Sequence, residues 1–544
     1  MHEGTSDLGV RASDLSGRDP RSAVRRRVAP GLLTLFSLIP IAVAMFPLLS
    51  CSAQPDPNTL VMMIESSPTN LDPRVGIDAQ SERIDNLIFD DLLSRGEDLN
   101  VAPGLAERWE IPDPLTYVFH LHRGAKFHDG RPLTARDVKW TFDSLLQGKI
   151  RSTKAAVYRF LVRIDAPDDA TVIFHMKEQD ATLLWNLSDG AIGIVPNGCG
   201  DEMTQHPIGS GPFRFVSAET DREVILERND DYWGGRAKLA RVRFAVVPDA
   251  TTQALELRKG SGDVAINSLT PDTVFTLARD PNLQVERAAG TRLAYLGFNL
   301  RDPILKDVRV RQAIGYALDR QPMIDYLWRG QAQPARSVLP PQSWAYNGAV
   351  PAYDHDLGKA NQLLDAAGYP QVDGIRFHLA MKTSTDENTR LMVAVMQQQL
   401  RPAGIALDIR SFEFATFFSD VQHGAFQIYG LRWIGGNEDP DIFEYAFDSA
   451  RFPPNGANRG YYSNPKVDAL IDQARREIDP SRRKPLYAEV QRILADDLPY
   501  IDLWYLDNVV VHTRRVRNLK LNSAGNFDFL RTAELASPYL ARQD

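Results

Sequence analysis

The chain has 544 residues, 43% of them apolar and 24% charged, which supplies enough apolar material for a substantial core. A net charge of −8 argues against a nucleic-acid partner. Cys51 and Cys199 are the only cysteines, at most one possible pair.

In chain order, a polar stretch ending in Arg25-Arg26-Arg27 precedes an apolar run from Gly31 to Leu49, and Leu48-Leu49-Ser50-Cys51 closes it. This pattern resembles a lipoprotein signal cleavage site: small Ser50 fits the peptidase, and the Cys51 thiol becomes the lipid attachment point. A plain transmembrane anchor is the alternative, against which Pro40, Pro47 and the closing Cys argue. With residues 1–50 removed, the remaining length suggests about three domains. Lipidation of Cys51 would leave Cys199 without an intramolecular partner.

Further along, Tyr117, Phe119 and Leu121 alternate with Val118, His120 and His122, the period-2 pattern of a strand with one buried face. Asp129-Gly130 supplies a turn. Thr134 stands three residues before Asp137, a capping box with Asp in the Glu position, and Val138, Phe142, Leu145 and Leu146 follow on one helix face. Alternation returns at Val172, Phe174 and Met176 and around Val224 to Leu226. Arg243 to Pro248 reads as a strand stopped by proline. Helices are predicted at Val310, Ala313, Ile314, Ala317 and Leu318, and at Leu363, Leu364 and Ala367 before Gly368 and Pro370. A third starts at Asn464 as N-cap with Pro465 at N1, carrying Val467, Leu470, Ile471 and Ala474. Mixed strands and helices of this kind indicate α/β or α+β lobes.

The run LHRGAKFHDGRPLTARDV within Tyr117–Leu146 resembles the signature of the bacterial extracellular solute-binding proteins, family 5, the peptide, oligopeptide and nickel receptors of ABC importers. SPTNLDP at Ser67–Pro73, HPIGSGPFRF at His206–Phe215 and ERNDDYWGG at Glu227–Gly235 are similar to further family blocks. So are Phe298–Arg320, Tyr461–Arg475 and Asp496–Trp504. The resemblance implies an α/β, two-lobed periplasmic-binding-protein-like fold with an extra subdomain inserted in lobe I. Residues 1–50 would be signal peptide, 51–95 the first part of lobe I, 96–206 the inserted subdomain II and 207–297 the second part of lobe I. Lobe III would span 298–504, and 505–544 would return to lobe I. Two crossover strands would serve as the hinge.

Enzyme chemistry has weak support. Ser463-Asn464-Pro465-Lys466 matches S-x-x-K, while Ser188-Asp189-Gly190 and Lys382-Thr383-Ser384 echo that hydrolase family's other elements in the wrong order. Asn464-Pro465 explains the same segment as a helix start, so an exported serine hydrolase is the unfavoured alternative. No catalytic residue, cofactor or metal is expected. His120 and His122 share a strand face, but no carboxylate or Cys accompanies them.

The expected binding loop is Gly430 to Asp441, with Arg432, Trp433, Gly435, Gly436, Asn437, Glu438 and Asp439 as ligand residues. In the family this segment resembles W-x-x-D-x-x-x-P-x-x-F, where the Asp three residues after Trp pairs with a peptide α-ammonium. Here that position is Gly436. Glu438 or Asp439 would reach the ammonium instead, or the ligand lacks a free amine there, as a blocked peptide or an oligosaccharide would. Asp439 is also explicable as a cap of the turn before Pro440. Trp433 suits stacking on sugars or side chains, and Arg432 suits a ligand carboxylate. On the opposite lobe, alignment with the family places ligand-pairing backbone at Ile77, Asp78 and Ala79. The implied protein is a monomer that captures a peptide or other small oligomeric solute. Its partners would be ABC permease and ATPase subunits on other chains, with membrane contact only through a lipid at Cys51.

Overall fold

The computed structural model describes residues 56–96, 99–188, 192–435 and 437–536. The leader, Cys51 and Gly436 lie outside them. Among the described residues, no helix is long and apolar enough to cross a membrane.

Two long strands, Leu283–Phe298 and Tyr500–Thr513, organise the chain. They pair antiparallel along most of their length and sit in the middle of an 11-stranded sheet among the described residues. One side of this sheet adds Val264–Ile266, Thr59–Ile64, Arg241–Val246, Glu223–Arg228 and Phe213–Glu219 in that order. The other side adds Ile428–Trp433, Phe377–Ser384 and Ile405–Phe412, while Ala332–Pro334 pairs separately on Tyr500–Thr513.

Because alternate residues of a strand face opposite ways, each half builds a core on both sheet faces. In the first lobe Leu60, Met62 and Ile64 pack against Val242, Phe244 and Val264. In the second, Leu296, Phe298, Ile314, Leu379, Ile405 and Trp504 form one core, and Tyr295, Tyr429, Phe447 and Tyr487 form another. The long strands contribute to both halves: Val509 and Val511 belong to the first lobe, Leu503 and Trp504 to the second. They are therefore the connection shared by the two halves.

That connection is bent by construction. Between Ala288 and Arg292 the register against Tyr500–Thr513 shifts, and a second shift follows at Ala294 and Tyr295. Gly290 lies inside the first bulge. A Cβ there would stand 2.1 Å from the Leu506 carbonyl oxygen, so the close approach of the two backbones requires glycine.

A four-stranded antiparallel sheet forms a third core, in the order Ala106–Asp113, Thr116–Leu121, Thr171–Met176 and Leu161–Asp165. Tyr117, Phe119 and Leu121 are buried while the intervening residues are half-buried, as the alternation predicts. Helix Ala135–Leu146 covers this sheet, started by the Thr134–Asp137 capping box, and Phe142 meets Phe174 edge-on at 5.1 Å. The helices expected at Val310 and Asn464 form as Val308–Ala317 and Pro465–Arg476. The strand expected over Arg243–Pro248 instead spans Arg241–Val246, because its partner Thr59–Ile64 ends opposite Val246.

Candidate functional site

The first-lobe wall of the cleft is a rigid turn ahead of a helix. Asp72 and Arg74 are both fully buried and joined side by side, Nε to Oδ1 at 2.9 Å and Nη2 to Oδ2 at 2.7 Å. The Asp72 carbonyl accepts the N–H groups of Val75 (2.8 Å) and Gly76 (2.9 Å), closing the turn. Gly76 is required, since a Cβ would lie 2.3 Å from the Asn70 carbonyl oxygen. Asp78 then caps helix Ala79–Ile88, accepting from Gln80 N (3.2 Å), Ser81 N (3.0 Å) and Thr69 N (3.1 Å). Burial pushes its carboxyl up, but the Ser81 and Thr69 donors outweigh that and hold it below the usual range. Between these two anchors Ile77 is 61% exposed, and its N–H and C=O make no hydrogen bond among the described residues. Ala79 is exposed beside it.

The second-lobe wall is strand Ile428–Trp433 and the loop after it. One edge pairs with Leu283–Phe298, from Phe298 opposite Ile428 to Leu293 opposite Trp433. The other edge meets Phe377–Ser384 only at Ile428 and Tyr429, which leaves backbone beyond Tyr429 open on that side. Gly435 turns the chain at φ +82°, a left-handed value suited to glycine, and its carbonyl accepts the Glu438 N–H at 3.1 Å.

Beyond it Asn437, Glu438 and Asp439 are buried. Asn437 is fully buried, its Nδ2 donating to the carbonyls of Thr291 (2.8 Å) and Val338 (3.0 Å). Glu438 is 2% exposed and accepts the Thr291 hydroxyl at 2.7 Å. Its other oxygen forms an ion pair with Arg95, which comes from strand Leu93–Arg95 on the far side of the cleft. The Arg95 guanidinium also lies over the Trp185 ring at 4.1 Å. Asp439 accepts the Asp441 N–H at 2.7 Å, the turn-capping role, and burial raises its pKa against the pull of Arg483.

Trp433 and Arg432 point to opposite sheet faces. Trp433 stacks on Tyr295 at 6.0 Å, meets Tyr445 edge-on and lies under Arg459. Arg432 is exposed and packs over the Trp328 ring at 5.6 Å.

The two walls also touch beside the cleft. Ala181 N donates to the Arg475 carbonyl at 3.3 Å, and Arg483 reaches the Ala181 carbonyl at 3.4 Å. Beneath this contact Asp441 pairs with Arg475 at 2.6 Å. Burial, opposed by Arg475 and assisted by the charges of Asp439 and Glu444, pushes its carboxyl up to about 6. Of the S-x-x-K residues, Lys466 is engaged with Glu489 at 2.6 Å, and Pro465 opens the helix.

Sequence reasoning named residues on both lobes but not Arg95, Thr291 or two further arginines, Arg83 and Arg292. Arg292 carried a usable signal: it is a lone charge opening the otherwise apolar run Leu293–Phe298.

Residues 100–453 match the family model described as bacterial extracellular solute-binding proteins, family 5 middle. The chain belongs to this family. It is 28% identical to di/tripeptide-binding protein 1 of Pseudomonas aeruginosa over 92% of this chain and 98% of that one. It is 29% identical to heme-binding protein A of Haemophilus influenzae, over 82% of this chain and 86% of the relative. Among solved structures, NikZ from Campylobacter jejuni in complex with Ni(L-His) aligns with a TM-score of 0.71 at 25% identity, covering 87% of this chain and 98% of that one. The fold is the family's mixed α/β, two-lobed architecture. Family 5 members are solute-binding receptors of ABC importers rather than enzymes, and this chain is a periplasmic-type solute receptor.

Proposed function

We propose that this receptor captures a peptide-like solute between its lobes and delivers it to an ABC permease, held at the membrane by a lipid on Cys51. The observation carrying this reading is a pair of unpaired backbone segments on opposing lobes. Ile77 offers N–H and C=O with no partner among the described residues, and the strand beyond Tyr429 has an open edge. An extended main chain laid between them would add hydrogen bonds to both, a mode that reads backbone and tolerates varied side chains. Contacts to both lobes exist together only in the closed form, so the solute shifts the population toward closure.

Glu438 and Asp439 bear on how the solute is oriented. Glu438 already holds Arg95 and the Thr291 hydroxyl, and Asp439 caps its turn. This favours a solute that needs no free amine at this loop, such as an N-blocked peptide. An oligosaccharide would satisfy the same condition, yet the open backbone edges suit an amide chain better.

A thermal-shift series on the full chain in detergent tests the proposal, using short peptides, N-blocked peptides, oligosaccharides and nickel chelates. Ligand at 100 times its Kd should stabilise by about 2.7 kcal/mol. Peptides should produce such a shift. Stabilisation by an oligosaccharide or a nickel chelate, with none by peptides, would overturn the reading.

A further inference from the structure

Three arginines of the cleft, Arg83 and Arg292 half-buried and Arg432 exposed, lack a carboxylate partner among the described residues. Arg83 projects from helix Ala79–Ile88 on the first lobe, Arg292 from the crossover strand, and Arg432 from strand Ile428–Trp433 on the second lobe. Among the described residues none of the three has a carboxylate oxygen within 4.0 Å. Each is held by neutral groups. Arg83 lies over the Phe527 ring at 5.6 Å, and Arg432 over Trp328 at the same distance. Arg292 Nη2 donates to Asn267 Oδ1 (3.1 Å) and the Asp507 carbonyl (3.0 Å), while its Nε is buried with no hydrogen-bond partner.

Strand register brings two of them together. Arg432 stands opposite Ala294, so Arg292, two residues earlier on the antiparallel neighbour, is its diagonal neighbour on the same face. Such positions lie roughly 7–8 Å apart, within reach of long side chains. Arg83 approaches from the other lobe. Burial first, then the charges of Arg432 and Arg83, lower Arg292 to about 10. The carboxylates acting at longer range are Glu65 and Asp507 on Arg292, Glu65 and Glu82 on Arg83, and Asp386 on Arg432. Two of these are engaged elsewhere, Glu65 with the Gln80 amide (3.1 Å) and Asp507 with the Gln333 amide (3.3 Å). Arginine stays protonated in proteins, so this cluster cannot relieve its repulsion by losing a proton. A bound oxyanion would relieve it and would satisfy the unpartnered Nε.

We propose that Arg83, Arg292 and Arg432 form an oxyanion subsite that receives a carboxylate or phosphate group of the solute as the lobes close. This rests on the solute-receptor reading and narrows it to an acidic solute anchored by its anionic end. One arginine comes from each lobe and one from the hinge strand, so the anion also favours the closed form.

Citrate and pyrophosphate, as carboxylate and phosphate probes, are titrated against the full chain in detergent at constant ionic strength with thermal unfolding as readout. The parent should gain melting temperature with at least one probe, and which probe acts distinguishes the two anion sources. Arg292→Gln and Arg432→Gln should each weaken the response about tenfold. Arg517→Gln, an exposed arginine elsewhere, should leave it unchanged. Arg432 is exposed, so its variant keeps the test valid if Arg292→Gln fails to fold. No response to either probe, or one that survives both variants, overturns the subsite. A parallel arm uses mixed tetrapeptides with free or amidated C-termini, all N-acetylated. Probe binding with no peptide binding would retain the subsite and reject the peptide reading. Equal binding of free and amidated peptides, unchanged in Arg432→Gln, would reject the subsite and retain the peptide reading.

Discussion

Arg95 and Glu438, separated by 343 residues in sequence, form an ion pair across the cleft, with side chains 16% and 3% exposed. Glu438 is fixed on its other side by Thr291 in the hinge bulge, so one carboxylate ties both lobes to the connection between them. A buried pair is costly to break from one side, because the remaining charge is left desolvated. Arg95→Ala and Glu438→Ala should each lower stability by about 3 kcal/mol in urea unfolding. The double variant should cost clearly less than the sum, with a coupling of at least about 1 kcal/mol. Additive losses would show that the pair contributes no mutual energy.

Asp502 gives a pH dependence with a definite sign. Burial, only partly opposed by Arg320, pushes its carboxyl up to about 7, and its Oδ1 has no hydrogen-bond partner. The folded value lies above the unfolded one, so the folded state holds the proton more tightly. Its unfavourable contribution is therefore absent below about pH 4, grows between about pH 4 and pH 7, and is complete above that. Asp502→Asn should match the parent at pH 4 and exceed it by about 2–4 kcal/mol at pH 8. Urea midpoints across this range check it, and a variant less stable than the parent at pH 8 would oppose it.

Gly290 sets the shape of the bulge in the crossover strand. A side chain there must displace the Leu506 carbonyl, 2.1 Å from the Cβ position. Gly290→Val should cost about 2–3 kcal/mol in urea unfolding. A neutral result would mean that the bulge yields without strain.

How far the sequence disclosed this molecule depended on the range of the interactions. Local chemistry was legible. The Thr134–Asp137 capping box, the Asn464-Pro465 helix start and the buried alternation from Tyr117 to Leu121 all form as read. Each is settled by residues within one turn or one strand of its neighbours. The loop after Trp433 was harder. Its glycines and acids suggested ligand contacts, and Asn437, Glu438 and Asp439 are buried among distant residues. The partners of Asn437 and Glu438 come from Thr291, Val338 and Arg95, which no local pattern connects to them. Of the arginine cluster only Arg432 was named from sequence, since Arg83, Arg292 and Arg432 come together only through the fold.

The lipid anchor makes a separate prediction about residues outside those described. Cys51→Ala should move the protein from the membrane fraction to the soluble one, or leave it as an unprocessed precursor with residues 1–50 attached. Fractionation with mass measurement of the N-terminal peptide checks this. A Cys51→Ala protein that is processed and remains membrane-bound in high salt would exclude a lipid on Cys51.

Main-chain capture between the lobes is tested most directly by amide hydrogen exchange, with and without the peptide that stabilises the protein most. The expected result is slowed exchange at Ile77–Ala79 and at the strand beyond Tyr429, both of which gain hydrogen-bond partners. Tight peptide binding that leaves exchange at both segments unchanged would contradict main-chain capture and place recognition in side chains alone.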